Sequence, residues 1–575
     1  MSDLSAQNLA LSYGTKSVIA SFSHDFKPGQ WTHLIGPNGS GKTTLIRALT
    51  GLLPAHSGDI LLNQQSLSKL PLRQRARLVA YVPQRLEDLP PISVLQFVEQ
   101  GAFAQNHQAP DEIRQITIQA LKETQILHLQ DRRFDQISCG ERQLCVIASA
   151  LVQQADIILL DEPTTGLDMH HALKICQILR QYADSGKTII SSTHELHLAR
   201  QFADQTILIS NGKCLWQGEG FPDNALISET FHIQMDAFSR FSLIPVAAPQ
   251  PPGSRAACHS PRRFLIFGSL ILIGCLCLYP WLGATLALPW ETESAYHIFF
   301  DLRMPRILLG TLAGAVLSVV GATFQALFKN PLATPYTLGV ASGASLGAFI
   351  AIQLGVYALL SLPLCACLGG IAVMSAVLWI SRNARHSWFC LMSGIAASMF
   401  CTALGLVIQS FATPLTTQQM MRWQLGGLDI VGYTTFSTAP LICLAIYVLF
   451  KYAPTLNLLS VDTDLAITRG VDYRRTQAII LIATGLATSL VVSACGPIGF
   501  IGLIIPNAIR RFIGADMRTL IPVSALVGAI FLVTADTLSR FLERFTWIPV
   551  GVITALIGVP IFIYALIQSS QSHQG

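Results

Sequence analysis

Charge is scarce in this chain: Asp, Glu, Lys and Arg make up 12% of its 575 residues, about half the share of an ordinary soluble protein. With a mean hydropathy of +0.48, a chain that is soluble throughout is excluded. The average conceals a split, because charges are dense up to about Arg263 and sparse beyond it. A soluble module followed by a membrane module is therefore expected, in a chain too long for one ordinary domain. The net charge of +5 is small and gives no reason to expect nucleic acid as a partner. The 13 cysteines are scattered, and Cys275, Cys277, Cys365 and Cys367 lie inside apolar runs. No pair has zinc-ligand spacing with partner His or Cys, so they read as small buried hydrophobes. The opening stretch, MSDLSAQNLALSYG, has no basic segment leading into an apolar core, so no cleavable signal is expected and the first module should stay in the cytosol.

Residues 1–235 alternate short β-like runs with helical stretches, as in an α/β domain. Residues 236–263 include PVAAPQPPGSRAACHSPRR, which sustains neither a helix nor a core and reads as a linker. Residues 264–575 hold uncharged runs long enough to cross a bilayer, roughly 20 helical residues each. Single spans are expected at 264–288, 307–328, 388–411, 431–450, 519–535 and 546–567. The runs 336–380 and 476–509 are each long enough for two, broken at Leu362-Pro363 and Gly496-Pro497. The total is ten spans. Arg255, Arg262 and Arg263 precede the first of them and place that end in the cytosol. The alternating loops then hold Lys329, Arg382, Arg385, Lys451, Arg469, Arg474, Arg475, Arg510, Arg511 and Arg518 inside. Arg303, Arg306, Arg422, Arg540 and Arg544 fall outside, the bias expected if the first module faces the cytosol.

Gly36-Pro-Asn-Gly-Ser-Gly-Lys-Thr-Thr44 fits the phosphate-binding pattern G-x-x-x-x-G-K-[ST] between an apolar strand and an apolar helix. In such a loop, backbone N–H groups from Gly36, Asn38, Gly39, Ser40 and Gly41 onward close around phosphate oxygens, and the helix N-terminus adds positive potential. Lys42 would reach the β- and γ-phosphates, the Thr43 hydroxyl would ligate Mg²⁺, and Thr44 completes the loop. Further on, Ile157-Ile-Leu-Leu-Asp-Glu162 is a buried strand ending in two carboxylates. Asp161 would hold Mg²⁺ through water, and Glu162 would polarise the attacking water.

ISCGERQ (137–143), DEPTTGLD (161–168) and STHE (192–195) together resemble the ABC ATPases, across residues 1–220. The resemblance implies that Tyr13 stacks on adenine. It also implies that Gln84, in YVPQ, contacts the Mg²⁺ and γ-phosphate side and links it to the membrane domain. Ser138 and Gly140 would contact the γ-phosphate held by an opposing copy, Asp168 would bridge the two sites, and His194 would hold the γ-phosphate. One departure stands in the signature loop, where Cys139 replaces a usual glycine and its Cβ would crowd a phosphate; Glu141 replaces a common glutamine. Because each ATP needs a second copy's signature loop, a symmetric homodimer with twenty spans is implied. Catalysis would be phosphoryl transfer to water by positioning and charge stabilisation.

In the second module, LRMPRILLG (302–310), GATFQALFKNPLATPYTLGVASGASLGA (321–348), GPIGFIGLIIPNAIRRFIG (496–514), ADTLSR (535–540) and IPVGVITALIGVPIFIY (548–564) resemble one family. It is the ten-span importer permeases for iron–siderophore complexes, haem and cobalamin. That likeness implies ATP-driven import of a metal chelate, with a ferric siderophore the leading substrate, across the bacterial inner membrane with a periplasmic binding protein. Arg303, Arg306 and Arg540 would receive acidic residues of that protein, with anchoring in lipid headgroups as the plainer alternative. The cytosolic segment 457–473 would form short coupling helices seated beside Gln84. Asn507, where a histidine is usual, and Trp547, where an acidic residue is usual, depart from the pattern. The cavity is expected between spans five, eight and ten, with apolar or small walls. Two rival functions are a half-size exporter, against which the span count and the family words speak, and a membrane sensor, which would not need Glu162.

Overall fold

The computed structural model describes residues 2–14, 16–86, 90–105, 109–231, 261–281, 293–355, 361–381, 387–429, 432–543 and 548–571. Residues 236–260 of the expected linker, together with Arg255, Arg382, Arg385, Arg544 and Trp547, lie outside the described residues. The chain divides into two compact units: Met1–Ala257 with Val461–Tyr473, and Cys258–Ser460 with Arg474–Gly575.

The first unit is an α/β domain with one ten-stranded sheet. Its strands are β1 (Leu4–Tyr13), β2 (Lys16–Phe26), β3 (Trp31–Ile35), β4 (Ser57–Leu62), β5 (Gln65–Ser66), β6 (Val79–Val82), β7 (Ile157–Leu160), β8 (Thr188–Thr193), β9 (Gln205–Ser210) and β10 (Lys213–Glu219). They lie in the order β5-β4-β1-β2-β10-β9-β3-β8-β7-β6. Strands β3, β6, β7 and β8 pair in parallel and every residue in them is buried, as expected for strands covered on both faces. The antiparallel part, β1 with β2 and β4, mixes buried residues with half-buried and exposed ones instead. The phosphate-loop helix, Lys42–Leu49, follows β3 directly and buries Leu45, Ile46, Ala48 and Leu49 in the same core as Leu9, Phe22, Leu34 and Leu159. Sheet and loop are thus fixed together, with the loop at the carboxyl ends of the parallel strands, where ligands sit in open α/β sheets.

The second unit is helical. Helices occupy Pro261–Leu278, Met304–Leu327, Val340–Gln353, Ser361–Ser381, Ser387–Ser410, Ala439–Lys451, Tyr473–Cys495, Ile501–Ile513, Met517–Leu542 and Val550–Gln571, with shorter ones between. Among the described residues, five helices are long and apolar enough to cross a membrane, or six if the pair Thr435–Lys451 and Ala453–Val461, bent by 52°, counts as one. Helix 304–327 crosses helix 501–513 so closely that a Cβ on Gly321 would stand 2.0 Å from the Gly502 carbonyl oxygen. Small residues give such backbone contact in apolar surroundings, where side-chain burial alone drives little association.

Helix 501–513 also carries Pro506, which has no N–H for the carbonyl four residues earlier. That carbonyl belongs to Gly502, and the buried Gln325 donates to it from Nε2 at 3.2 Å and to Leu503 at 3.3 Å. One turn later, Asn507 donates from Nδ2 to Leu503 at 2.8 Å and to Pro331 at 3.0 Å. The unusual asparagine therefore seats the Asn330–Thr337 turn against this helix. Substituting Gln325→Leu is expected to lower the stability of the second unit by about 1–3 kcal/mol, since it strands a carbonyl away from water. Thermal unfolding of the detergent-solubilised protein checks this, and an unchanged midpoint would discount the bond.

Candidate nucleotide site and the paired arginines

The phosphate loop encloses a cavity of about 540 Å³ lined by Asn38 to Thr44, Gln84, Glu162, Thr165, His194 and Val18. Gly41 precedes the helix with φ 108°, a left-handed backbone that a Cβ would strain. Lys42 turns back onto its own loop, donating from Nζ to the Gly36 carbonyl at 2.7 Å and the Pro37 carbonyl at 3.1 Å. Its burial pushes the ammonium below its ordinary range, against the pull of Glu162 and Asp161. Ser40 Oγ is buried in the loop without a hydrogen-bond partner. A loop with an orphaned hydroxyl and an ammonium parked on carbonyls fits an arriving polyphosphate.

At the end of β7, Asp161 accepts from Thr43 Oγ1 at 3.0 Å and from Ser192 Oγ at 2.7 Å. Its burial raises its carboxyl above the ordinary range, and these two hydroxyls oppose that shift. Hydroxyl and carboxylate oxygens side by side are the hard donors that Mg²⁺ takes. Glu162 has φ 46°, a strained backbone for a residue with a Cβ, held by a bond from its N–H to Ser192 Oγ at 2.9 Å. Its Oε2 gathers Gln84 Nε2 at 2.8 Å, Thr165 Oγ1 at 2.9 Å and His194 Nδ1 at 3.5 Å. So Gln84, Glu162 and His194 meet at one carboxylate oxygen beside the phosphate loop.

Six expected residues do not line this cavity: Gly36 and Asp161, which bond Lys42 and Thr43 in its wall, and Tyr13, Ser138, Gly140 and Asp168, which stand apart from it. Tyr13 ends β1 and is exposed. Ser138 caps the signature helix, Cys139–Val152, through a reciprocal pair of bonds with Glu141, which explains the glutamate at that position. Asp168 caps helix Met169–Asp184 by accepting from the His171 N–H at 2.9 Å and touching its ring nitrogen at 2.8 Å. A Cβ on Gly140 would stand 2.8 Å from that same imidazole, so Ser138, Gly140 and Asp168 share one surface apart from their own chain's cavity. Cys139 is exposed and opens the signature helix without a positive φ, so its thiol causes no backbone strain. Thr165, Ser192 and His171 were not singled out by sequence; each sits within or just beyond a quoted motif, and neighbouring hydroxyls and imidazoles there were the available signal.

In the second unit, Arg306 and Arg540 converge on one carboxylate. Arg306 meets Asp429 at 2.6 Å, Asp536 at 2.8 Å and Glu543 at 3.8 Å, and Arg540 meets Asp536 at 3.3 Å. Asp536 is 1% exposed, Arg306 16% and Arg540 7%. Buried charges must be paired, and Arg306 and Arg540 are paired within the chain. Arg303 donates to the Pro280 carbonyl at 3.1 Å. A separate cavity of about 590 Å³ has largely apolar walls, including Leu425, Pro497, Phe500, Val552 and Leu556, with Gln424 at its edge.

Comparison with known proteins places these features in a lineage. Residues 266–568 match the FecCD transport family, and residues 19–165 match the ABC transporter family. The chain is 38% identical over 288 residues to an uncharacterised ABC transporter permease protein, YvrB, of Bacillus subtilis, covering 48% of this chain and 80% of the relative. It is 36% identical over 327 residues to the cobalamin import system permease protein BtuC of Halobacterium salinarum, covering 55% and 85%. Among solved structures, one described as a metal-chelate type ABC transporter in an inward-facing conformation aligns with a TM-score of 0.50 and 28% identity, over 53% of this chain and 99% of that one.

Proposed function

Since this chain belongs to the FecCD transport family and carries an ABC ATPase module in the same polypeptide, we propose that it imports a ferric siderophore across a bacterial inner membrane. It is a multi-pass membrane protein, an ABC importer of the metal-chelate, cobalamin or haem type whose ATP hydrolysis is coupled to transport. The single observation that carries the proposal is the family match, which runs through nearly all of the second module.

The finer reading has ten crossings per chain, a cytosolic ATPase, a homodimer and a periplasmic binding protein. Two copies are supported by the separation of Ser138, Gly140 and Asp168 from their own chain's cavity, since a second copy would bring them to its partner's nucleotide. Mg²⁺, held by Thr43 and Asp161 with Gln84 nearby, would neutralise the phosphates. Lys42 then leaves the loop carbonyls for the γ-phosphate side, Glu162 takes a proton from the attacking water, and His194 steadies the γ-phosphate. The docking protein would offer an acidic side chain in place of the half-exposed Asp429 at Arg306. The apolar walls of the 590 Å³ cavity support a cargo already wrapped in its ligand, with cobalamin and haem as the alternatives.

A bacterial strain stripped of its own siderophore importers tests this reading. Expression of the chain with its genomic neighbour encoding a binding protein is expected to restore uptake of radio-iron presented as ferric siderophore. Restoration only by labelled cobalamin or haem would move the substrate to those alternatives. ATP-driven exit from liposomes without any binding protein would favour an exporter.

A further inference from the structure

Arg469 stands in the segment Val461–Tyr473, which belongs to the compact first unit although its sequence neighbours on both sides belong to the second. A positively charged loop residue is expected at a surface, yet Arg469 is 1% exposed. Its Nη2 donates to the buried Ser149 Oγ at 2.6 Å, while its Nη1 is buried with no hydrogen-bond partner. The nearby Asp462 attracts it but accepts the Leu465 N–H at 2.7 Å as the cap of helix Thr463–Thr468. Gly470 follows with φ 91°, where a Cβ would come within 3.1 Å of the Arg73 backbone, so the chain approaches helix Leu72–Leu78 closely at this point. A guanidinium this incompletely satisfied is a poor source of stability.

What distinguishes it is where it points. Ser149 lies on the signature helix, about 16 Å along from Ser138 at 1.5 Å per residue. A second contact of the same segment, Asp464 to Arg47 at 2.8 Å, reaches the last turn of the phosphate-loop helix. One short segment therefore grips both helices whose N-termini serve nucleotide, the phosphate-loop helix for its own chain's ATP and the signature helix for the partner copy's.

We propose that Arg469 is a positioning residue of the ATPase, clamping the signature helix through Ser149 while Asp464 holds the phosphate-loop helix through Arg47. The inference rests on the ATP-driven reading given above and deepens it at two residues: the paired contacts fix the angle between the two helices. Without the clamp, the signature loop moves out of register with the opposing nucleotide and hydrolysis slows.

The test uses the full-length protein in lipid nanodiscs with Mg-ATP as the only probe. Arg469→Met keeps the length and removes the charge, and replacing a poorly paired buried charge by an apolar side chain is commonly neutral or stabilising. The expected result is a kcat about tenfold lower, a KM for ATP within twofold of wild type, and a melting temperature unchanged or higher. Ser149→Ala lowers kcat similarly, the double variant is no slower than the slower single, and Arg469→Lys recovers part of the rate. Wild-type kcat in Arg469→Met, or losses that multiply in the double variant, overturn the clamp. A melting temperature that falls together with kcat also overturns it, in favour of plain structural support. A Lys42→Ala control separates the two readings: wild-type hydrolysis insensitive to Lys42 sinks the ATPase assignment itself.

Discussion

Glu162→Gln is expected to cut ATP hydrolysis about 10³-fold while leaving ATP bound, if Glu162 is the group that takes the proton from water as proposed. Three side chains hold the carboxylate on station, Gln84, Thr165 and His194, and its own backbone sits at the strained φ of 46°. Glutamine has the same length and still accepts from Thr165 through its amide oxygen, so the fold around it persists. Lys42 and Thr43 are untouched, and the nucleotide stays held. Phosphate release, binding of a fluorescent ATP analogue and sedimentation in Mg-ATP measure the three consequences: slow turnover, retained affinity and a trapped closed dimer. Hydrolysis within threefold of wild type would remove Glu162 from the chemistry.

Lys42→Ala is expected to fail one step earlier. The buried ammonium rests on the Gly36 and Pro37 carbonyls and in the proposed reading would move to phosphate oxygens, where each charge-assisted bond contributes about 1.5–3 kcal/mol. Loss of the side chain should weaken ATP binding about 10–100-fold and abolish transport at saturating nucleotide, since the same charge stabilises the transferring phosphoryl group. The pair of variants is diagnostic: Glu162→Gln binds and stalls, Lys42→Ala scarcely binds. Uptake by Lys42→Ala within threefold of wild type would refute ATP as the driving ligand.

The clustering of residues around the phosphate loop was largely legible because it depends on short contiguous words. A glycine loop must be followed at once by Lys42 and Thr43, and a buried strand must end at Asp161 and Glu162, so spacing along the chain stands in for distance in space. The α/β class and the split between modules were legible for a similar reason, since hydropathy is a local property. Charges that meet across the fold were not. Arg306 finds Asp429 and Asp536 at separations of 123 and 230 residues, and nothing in LRMPR announces either partner. Arg469 falls among the expected cytosolic loop cations, but the charge bias along a sequence records only which side of a membrane a loop lies on, not whether it is buried. Pro506 shows the opposite case: its missing N–H was legible, and the buried Gln325 that answers it was visible only in three dimensions.

The first unit is completed by thirteen residues that the ribosome delivers some two hundred positions after the rest of it. Synthesis of residues 1–257 leaves the seat of Leu465, Ala466 and Arg469 vacant until most of the hydrophobic half has been made. An excised N-terminal fragment should therefore be sticky and loosely folded at that seat, and a synthetic peptide spanning 461–473 should tighten it. Maturation of the catalytic half would thereby be tied to successful insertion of the other.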